Sequence, residues 1–181
     1  MSFQKTLEKV ESSPEFKEFK KKNPKAKLYS GFFTLRKAFG NMVTDSEQVD
    51  YLIGKETIAT FLVQDGIIIK KMDKLEKPVE KFTGLDTEIK IDIEKIIPLV
   101  EGEIKKQKIT SEISKIIAIL QKQEKKQIWN IVVVFSSFSL LKLHIDMQGK
   151  MIYDEKESVM NWMHVEKGNK SHNQENSGSK K

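Results

Sequence analysis

The sequence has no cysteine. That removes disulfide scaffolds, thiolate metal sites and cysteine nucleophiles together. Arginine is almost missing as well: of 32 basic residues, only Arg36 is one. Arginine provides the planar fork that grips phosphates and guanine edges, so a lysine-only surplus can track a polyanion only as point charges. There are three histidines, at positions 144, 164 and 172. HExxH, P-loop and strand-following GxGxxG motifs are absent, as is any spaced His/Asp cluster. No apolar run approaches the ~20 residues needed to cross a bilayer. The opening residues, MSFQKTLEKVESS, lack the hydrophobic stretch of a secretory signal. The expectations are therefore a cytoplasmic protein with no catalytic residues, no metal, no cofactor and no membrane contact.

What is present fits one domain or two very small ones. The chain has 181 residues, 38% hydrophobic and 32% charged, and a chain of this length buries roughly 70% of its unfolded surface. The net charge of +6 accompanies abundant isoleucine and glutamate, which reads as chain-wide compositional bias. Part of the surplus lies in residues 166–181, where Gly, Asn, Ser, Lys and Gln dominate and a disordered tail is expected.

Along the chain, Phe3, Leu7 and Val10 form a short helical stripe. Ser13-Pro14-Glu15 then starts a second helix, with N-cap serine, proline at the first helical position and acid in the first turn. Asn23-Pro24 stops it. Residues 27–36, KLYSGFFTLR, have strand composition, and a polar turn is expected over 41–46. Residues 48–53 and 57–63 read as strands, and Asp65-Gly66 as a hairpin turn into a return strand at 67–72. Residues 73–90 carry no pattern and read as a connector. Asp92 is the N-cap of a further helix with Ile93, Ile96, Ile97, Val100 and Ile104 at helical spacing, and Pro98 should kink or split it. Residues 115–121, KIIAILQ, fit either a helix or a strand. Residues 127–135 and 140–147 are strands, and Gln148-Gly149 turns the chain into 150–153.

The two halves match in order. A helix, KLYSGFFTLR, QVDYLI and TIATFLVQDGIIIKKMDK in the first correspond to a helix, KIIAILQKQ, QIWNIVVVF and LLKLHIDMQGKMIYDEKE in the second. The final hairpins align almost residue for residue, with glycine at each turn, and this alignment favours strand for 115–121. The expected fold is α+β: two tandem α-β-β-β repeats forming a curved antiparallel sheet packed on helices. The expected divisions are 1–72 for the first repeat, 73–90 for the connector, 91–165 for the second repeat and 166–181 for the tail.

The run from Asp92 to Tyr153 resembles a PepSY-like unit. The resemblance rests on a helix, a middle strand carrying Trp129-Asn130-Ile131-Val132-Val133, and the turn Ile145-Asp146-Met147-Gln148-Gly149-Lys150. It implies a cystatin-type fold and a binding or regulatory role, some such domains being thought to restrain peptidases. PepSY units are mostly exported or membrane-attached, and in that this chain departs from the pattern.

Candidate binding residues follow from alternation. Leu141, Leu143, Ile145 and Met147 face one side of their strand, leaving Lys142, His144 and Asp146 on the other. A three-residue loop at 136–138 pairs Asn130 with His144, completing a polar patch of Asn130, Lys142, His144 and Asp146. The ordinary solvated face of a half-buried sheet has the same pattern. Ser136, Ser137 and Ser139 read as a polar hairpin, and Trp129 as core. Lys17, Lys20, Lys21, Lys22, Lys25 and Lys27 fall within eleven residues, the candidate contacts for a nucleic acid. The expected function is a non-catalytic protein-interaction or regulatory module acting through a sheet face or edge. The alternative is a lysine-based nucleic-acid binder.

Overall fold

A computed structural model describes residues 2–38, 40–123 and 125–158. The disordered tail expected at 166–181 lies outside these residues, as do Met160, Trp162 and Met163 and the histidines His164 and His172. Three helices, α1 (Phe3–Ser12), α2 (Pro14–Lys22) and α3 (Ile93–Lys106), accompany eight strands. The first four are β1 (Lys27–Ala38), β2 (Asn41–Ile53), β3 (Thr57–Gln64) and β4 (Ile67–Lys74). The others are β5 (Ile113–Gln123), β6 (Lys126–Phe135), β7 (Ser139–Asp146) and β8 (Met151–Ser158).

The strands form one sheet in the order β4-β3-β2-β1-β5-β6-β7-β8. All seven neighbouring pairs are antiparallel. The two halves of the chain join where β1 pairs with β5, from Ser30 opposite Gln121 to Arg36 opposite Lys115. The architecture is thus α+β with an antiparallel sheet. Strand wins over helix at 115–121 because β5 lies between β1 and β6, its alternate residues Ile116, Ala118 and Leu120 buried.

Alternation divides the sheet into two faces. Phe33 and Leu35 on β1, Val49 and Tyr51 on β2 and Phe61 on β3 share one core with Trp129, Ile131 and Val133 on β6 and Leu141, Leu143 and Ile145 on β7. The helices fill that same core with Phe3, Leu7, Val10, Phe16, Phe19, Ile93, Ile96, Val100 and Ile104. All three helices therefore pack on one face. Aromatic contacts knit helix to sheet, with Phe16 4.9 Å from Tyr51 and Phe19 5.2 Å from Phe61, while on the sheet itself Phe33 lies 6.1 Å from Trp129. Trp129 is fully buried and donates its indole N–H to the Ile91 carbonyl at 2.9 Å, satisfying its one polar group.

Asp92 has a larger part than an ordinary cap. One carboxylate oxygen accepts from the Ile93 N–H at 2.6 Å and the Phe3 N–H at 2.8 Å; the other accepts from Ser2 Oγ at 2.8 Å and the Gln4 N–H at 3.3 Å. A single side chain thus satisfies orphan donors at the starts of both α1 and α3, where the helix dipole also favours negative charge.

The structure departs from the sequence reading in two elements. The polar turn expected at 41–46 is strand: β1 continues to Ala38, opposite Asn41, and Gly40 carries the reversal at φ 80°. Ser46 is tolerated there because it pairs with Thr34 on the sheet face that has no helix on it. Secondly, α3 runs unbroken through Pro98. Pro98 and Glu94 are both exposed, so the hydrogen bond that Pro98 cannot donate is missing on the solvent side of the helix rather than in the core. The connector region follows the end of β4 as irregular chain held along the sheet, with the Leu85 N–H donating to the Leu28 carbonyl at 2.9 Å.

Candidate interaction surface

The face without helices is built by the residues alternating with the core. Every pairing is antiparallel, and between the local register shifts in β1–β2, β5–β6 and β7–β8 one cross-strand row runs the width of the sheet. It reads Ile69, Leu62, Gln48, Phe32, Ile119, Asn130, His144 and Tyr153, one residue from each strand. A second row places Ser46, Thr34, Ile117, Val132, Lys142 and Glu155 side by side. Phe32, Ile117, Ile119 and Val132 are half-buried. The open face thus has an apolar centre at Phe32, Ile117, Ile119 and Val132, with Gln48 and Ser46 on one side and Asn130, His144 and Lys142 on the other.

The four residues singled out from the sequence come together on this face but do different things. Asn130 stands opposite His144, as the loop at 136–138 requires, with Phe138 taking the positive φ of 57° that closes the turn. The His144 ring lies against Tyr153 at 4.7 Å, and burial pushes its pKa below the ordinary histidine value. The side-chain oxygen Oδ1 of Asn130 is buried with no hydrogen-bond partner among the described residues. Lys142 is ion-paired to Glu157 at 2.6 Å. Asp146 accepts from the Gln148 and Lys150 N–H groups, each at 2.9 Å; its carboxylate holds the β7–β8 turn. Gly149 at φ 80° completes that turn, and a Cβ there would lie 2.9 Å from Ile91 Cδ1. Of the patch, Asn130 and His144 are the members with polar chemistry left to offer.

No family model matches the chain, and no curated protein matches it. Among solved structures it is similar to a "putative lipoprotein" from Clostridium difficile 630, with a TM-score of 0.51 and 14% identity. The match covers 79% of this chain and 90% of that one. At that identity the likeness is one of fold alone.

A second polar cluster on the same face had only a faint signal in the sequence. Asp50 is buried and accepts from Ser30 Oγ at 2.7 Å, Thr60 Oγ1 at 2.7 Å and Gln48 Nε2 at 2.9 Å. Burial raises its pKa, against the lowering effect of those three bonds. The sign available beforehand was an aspartate inside the apolar run Val49-Asp50-Tyr51-Leu52. Its partners are strand neighbours that only the register identifies.

The six lysines do not converge. Lys17, Lys20 and Lys21 line a hollow of about 430 Å³ with Glu11 and Phe16, while Lys25 and Lys27 line another of about 270 Å³ with Leu52, Val79 and Phe82. Lys20 donates to the Ala26 carbonyl at 2.7 Å, Lys22 pairs with Glu18 at 2.7 Å, and Lys27 donates to the Phe82 carbonyl at 3.0 Å. Lys17, Lys20, Lys21 and Lys22 are on α2, on the other side of the sheet from the half-buried Phe32, so the six form no single basic surface around it. Among the described residues, no three His, Cys, Asp or Glu side chains group in a way that could hold a metal ion, and no helix is long and apolar enough to cross a membrane.

Proposed function

We propose that this protein is a non-catalytic interaction module of the PepSY/cystatin-like kind, formed from two copies of one helix-and-meander unit, and that it binds another protein on the open face of its sheet. The observation carrying this reading is the one-sided layering: three helices cover one face of a continuous eight-stranded sheet. The opposite face keeps half-buried Phe32, Ile117, Ile119 and Val132 beside the Asn130 side-chain oxygen, which has no hydrogen-bond partner among the described residues. Support for duplication comes from the strand order, which mirrors itself about the β1–β5 junction. Each half also ends in a hairpin turned by glycine, Gly66 at φ 82° and Gly149 at φ 80°. The dispersal of the six lysines favours a protein partner over a nucleic acid.

The test is affinity capture from native lysate with the intact protein and with a variant carrying Phe32→Lys and Val132→Lys, its folding checked by circular dichroism. A band held by the intact protein and lost with the folded variant is the expected outcome. A salt titration against generic RNA runs in parallel. RNA binding whose log affinity falls with log salt, by about 0.7–0.9 per phosphate contact, would replace this reading with the polyanion one.

A further inference from the structure

Large apolar side chains are exposed at six positions among the described residues, and five of them lie on two strands. Ile67, Ile69 and Met72 are on β4, Ile152 and Tyr153 are on β8, and the sixth, Phe138, is in the loop before β7. β4 and β8 are the two outer strands of the sheet. Among the described residues, each therefore presents a row of backbone N–H and C=O groups with no strand beside it, the arrangement that templates addition of another strand.

The two edges carry opposite charge. β4 holds Lys70, Lys71 and Lys74 against one acid, Asp73; β8 holds Asp154, Glu155 and Glu157 against one base, Lys156. Their fields are felt nearby. Lys70 joins Lys22 in lowering the carboxyl pKa of Glu18 on α2. The Tyr153 hydroxyl is raised chiefly by its hydrogen bond to Glu155, then by burial and by the charges of Glu155, Glu157 and Asp154.

Topology makes the edges geometrically compatible as well. The strands alternate in direction across the sheet, so with an even number of strands β4 and β8 run in opposite senses. A second copy set alongside, helices on the same side, brings its β4 antiparallel to β8 of the first. Like-with-like pairing is a different matter. β4 on β4 faces lysine with lysine, β8 on β8 faces acid with acid, and like charges opposite one another destabilise a pair. The lysines that guard β4 against itself do not guard it against β8.

We propose that the partner of each sheet edge is a second copy of this chain, added head to tail with β8 of one copy on β4 of the next. The contact deepens the reading of the sheet as an interaction surface, but it uses the edges and leaves the open face free. It is heterologous, so it does not stop at two copies by symmetry. One pair of eight-residue strands is a small interface, and association is accordingly weak and dependent on concentration.

Sedimentation velocity on the full chain over a concentration series, at low and high salt, tests this directly. The expected result is a mass that rises past two copies with concentration and falls as salt is added. Lys70→Glu with Lys71→Glu, and separately Asp154→Lys with Glu155→Lys, should each weaken association about tenfold or more, since each sets like charge against like. Mixing the two variants should restore it, and so should combining all four substitutions in one chain. A wild-type protein that stays monomeric throughout overturns the proposal, as does association that the charge reversals leave unchanged. Both outcomes leave binding of a foreign protein to the open face intact, because capture through Phe32 and Val132 is read separately.

Discussion

Gly31 is the point where β1 passes directly beneath the ring of Phe3, and Gly31→Ala probes how tightly α1 is seated. A Cβ at this position would lie 2.2 Å from Phe3 Cε2 and 2.5 Å from Cδ2. Carbon atoms in contact rest about 3.5–4.0 Å apart, so the ring must retreat by roughly 1 Å or more. It has little room to do so. Phe3 is fully buried, meets Phe33 edge-on at 6.3 Å, and has its amide tied to Asp92 at 2.8 Å. In an unobstructed strand, alanine is about 0.5–1 kcal/mol more stable than glycine; overpacking a filled core costs about 1–3 kcal/mol. The second effect wins, and a net loss of about 1–2 kcal/mol is expected. Urea unfolding should show a lower midpoint at unchanged slope, and melting should fall by about 2–4 °C per kcal/mol lost. Phe3→Leu frees the space above Gly31, so the alanine should cost about 1 kcal/mol less in that background. A Gly31→Ala protein as stable as the parent, or more so, would refute the close seating of α1 on β1.

Three further outcomes follow from other contacts. Asp92→Ala should cost ~2–3 kcal/mol in urea unfolding, more than the ~1 kcal/mol expected for the ordinary cap Ser13→Ala, because two helix starts lose their acceptor at once; equal losses would show that Asp92 serves one helix only. Asp50 has a raised pKa in the fold, so it binds its proton more tightly folded than unfolded. The associated stability is full below the ordinary value of ~3.9 and is lost as pH rises through the higher folded value. Asp50→Asn should therefore be at least as stable as the parent at neutral pH, with the gap closing on acidification; a gap that widened in acid would contradict the burial of this carboxyl. His144 has a pKa lowered by burial, so its stabilising neutral form is fully present above the ordinary ~6.5 and lost as pH falls through the lower folded value. Its ring protons should titrate below the ordinary histidine midpoint by NMR, and Tyr153→Ala should move the midpoint back up.

Much of this protein was determined locally. Ser13-Pro14-Glu15 starts α2 and Asp92 starts α3 because caps act on the backbone within a turn of themselves. The alternation of Trp129, Ile131 and Val133 against Leu141, Leu143 and Ile145, with a three-residue loop between, fixes the β6–β7 register and brings Asn130 to His144. The pairing of β1 with β5 is different in kind. It joins residues about eighty to ninety positions apart, and no periodicity within either segment states which strand the other will choose. That same pairing decides that 115–121 is strand, and it turns two meanders into one sheet with a single open face. The rest was legible only in space. Asp50 looks like a misplaced charge until the register supplies Ser30 and Thr60, and Asp92 looks like one cap until α1 arrives at it. The opposite charges of β4 and β8 acquire meaning once both are known to be edges. Local sequence sets dihedrals, caps and turns through neighbours a few residues away; which faces and edges stay open depends on contacts whose loop-closure cost and burial belong to the whole chain.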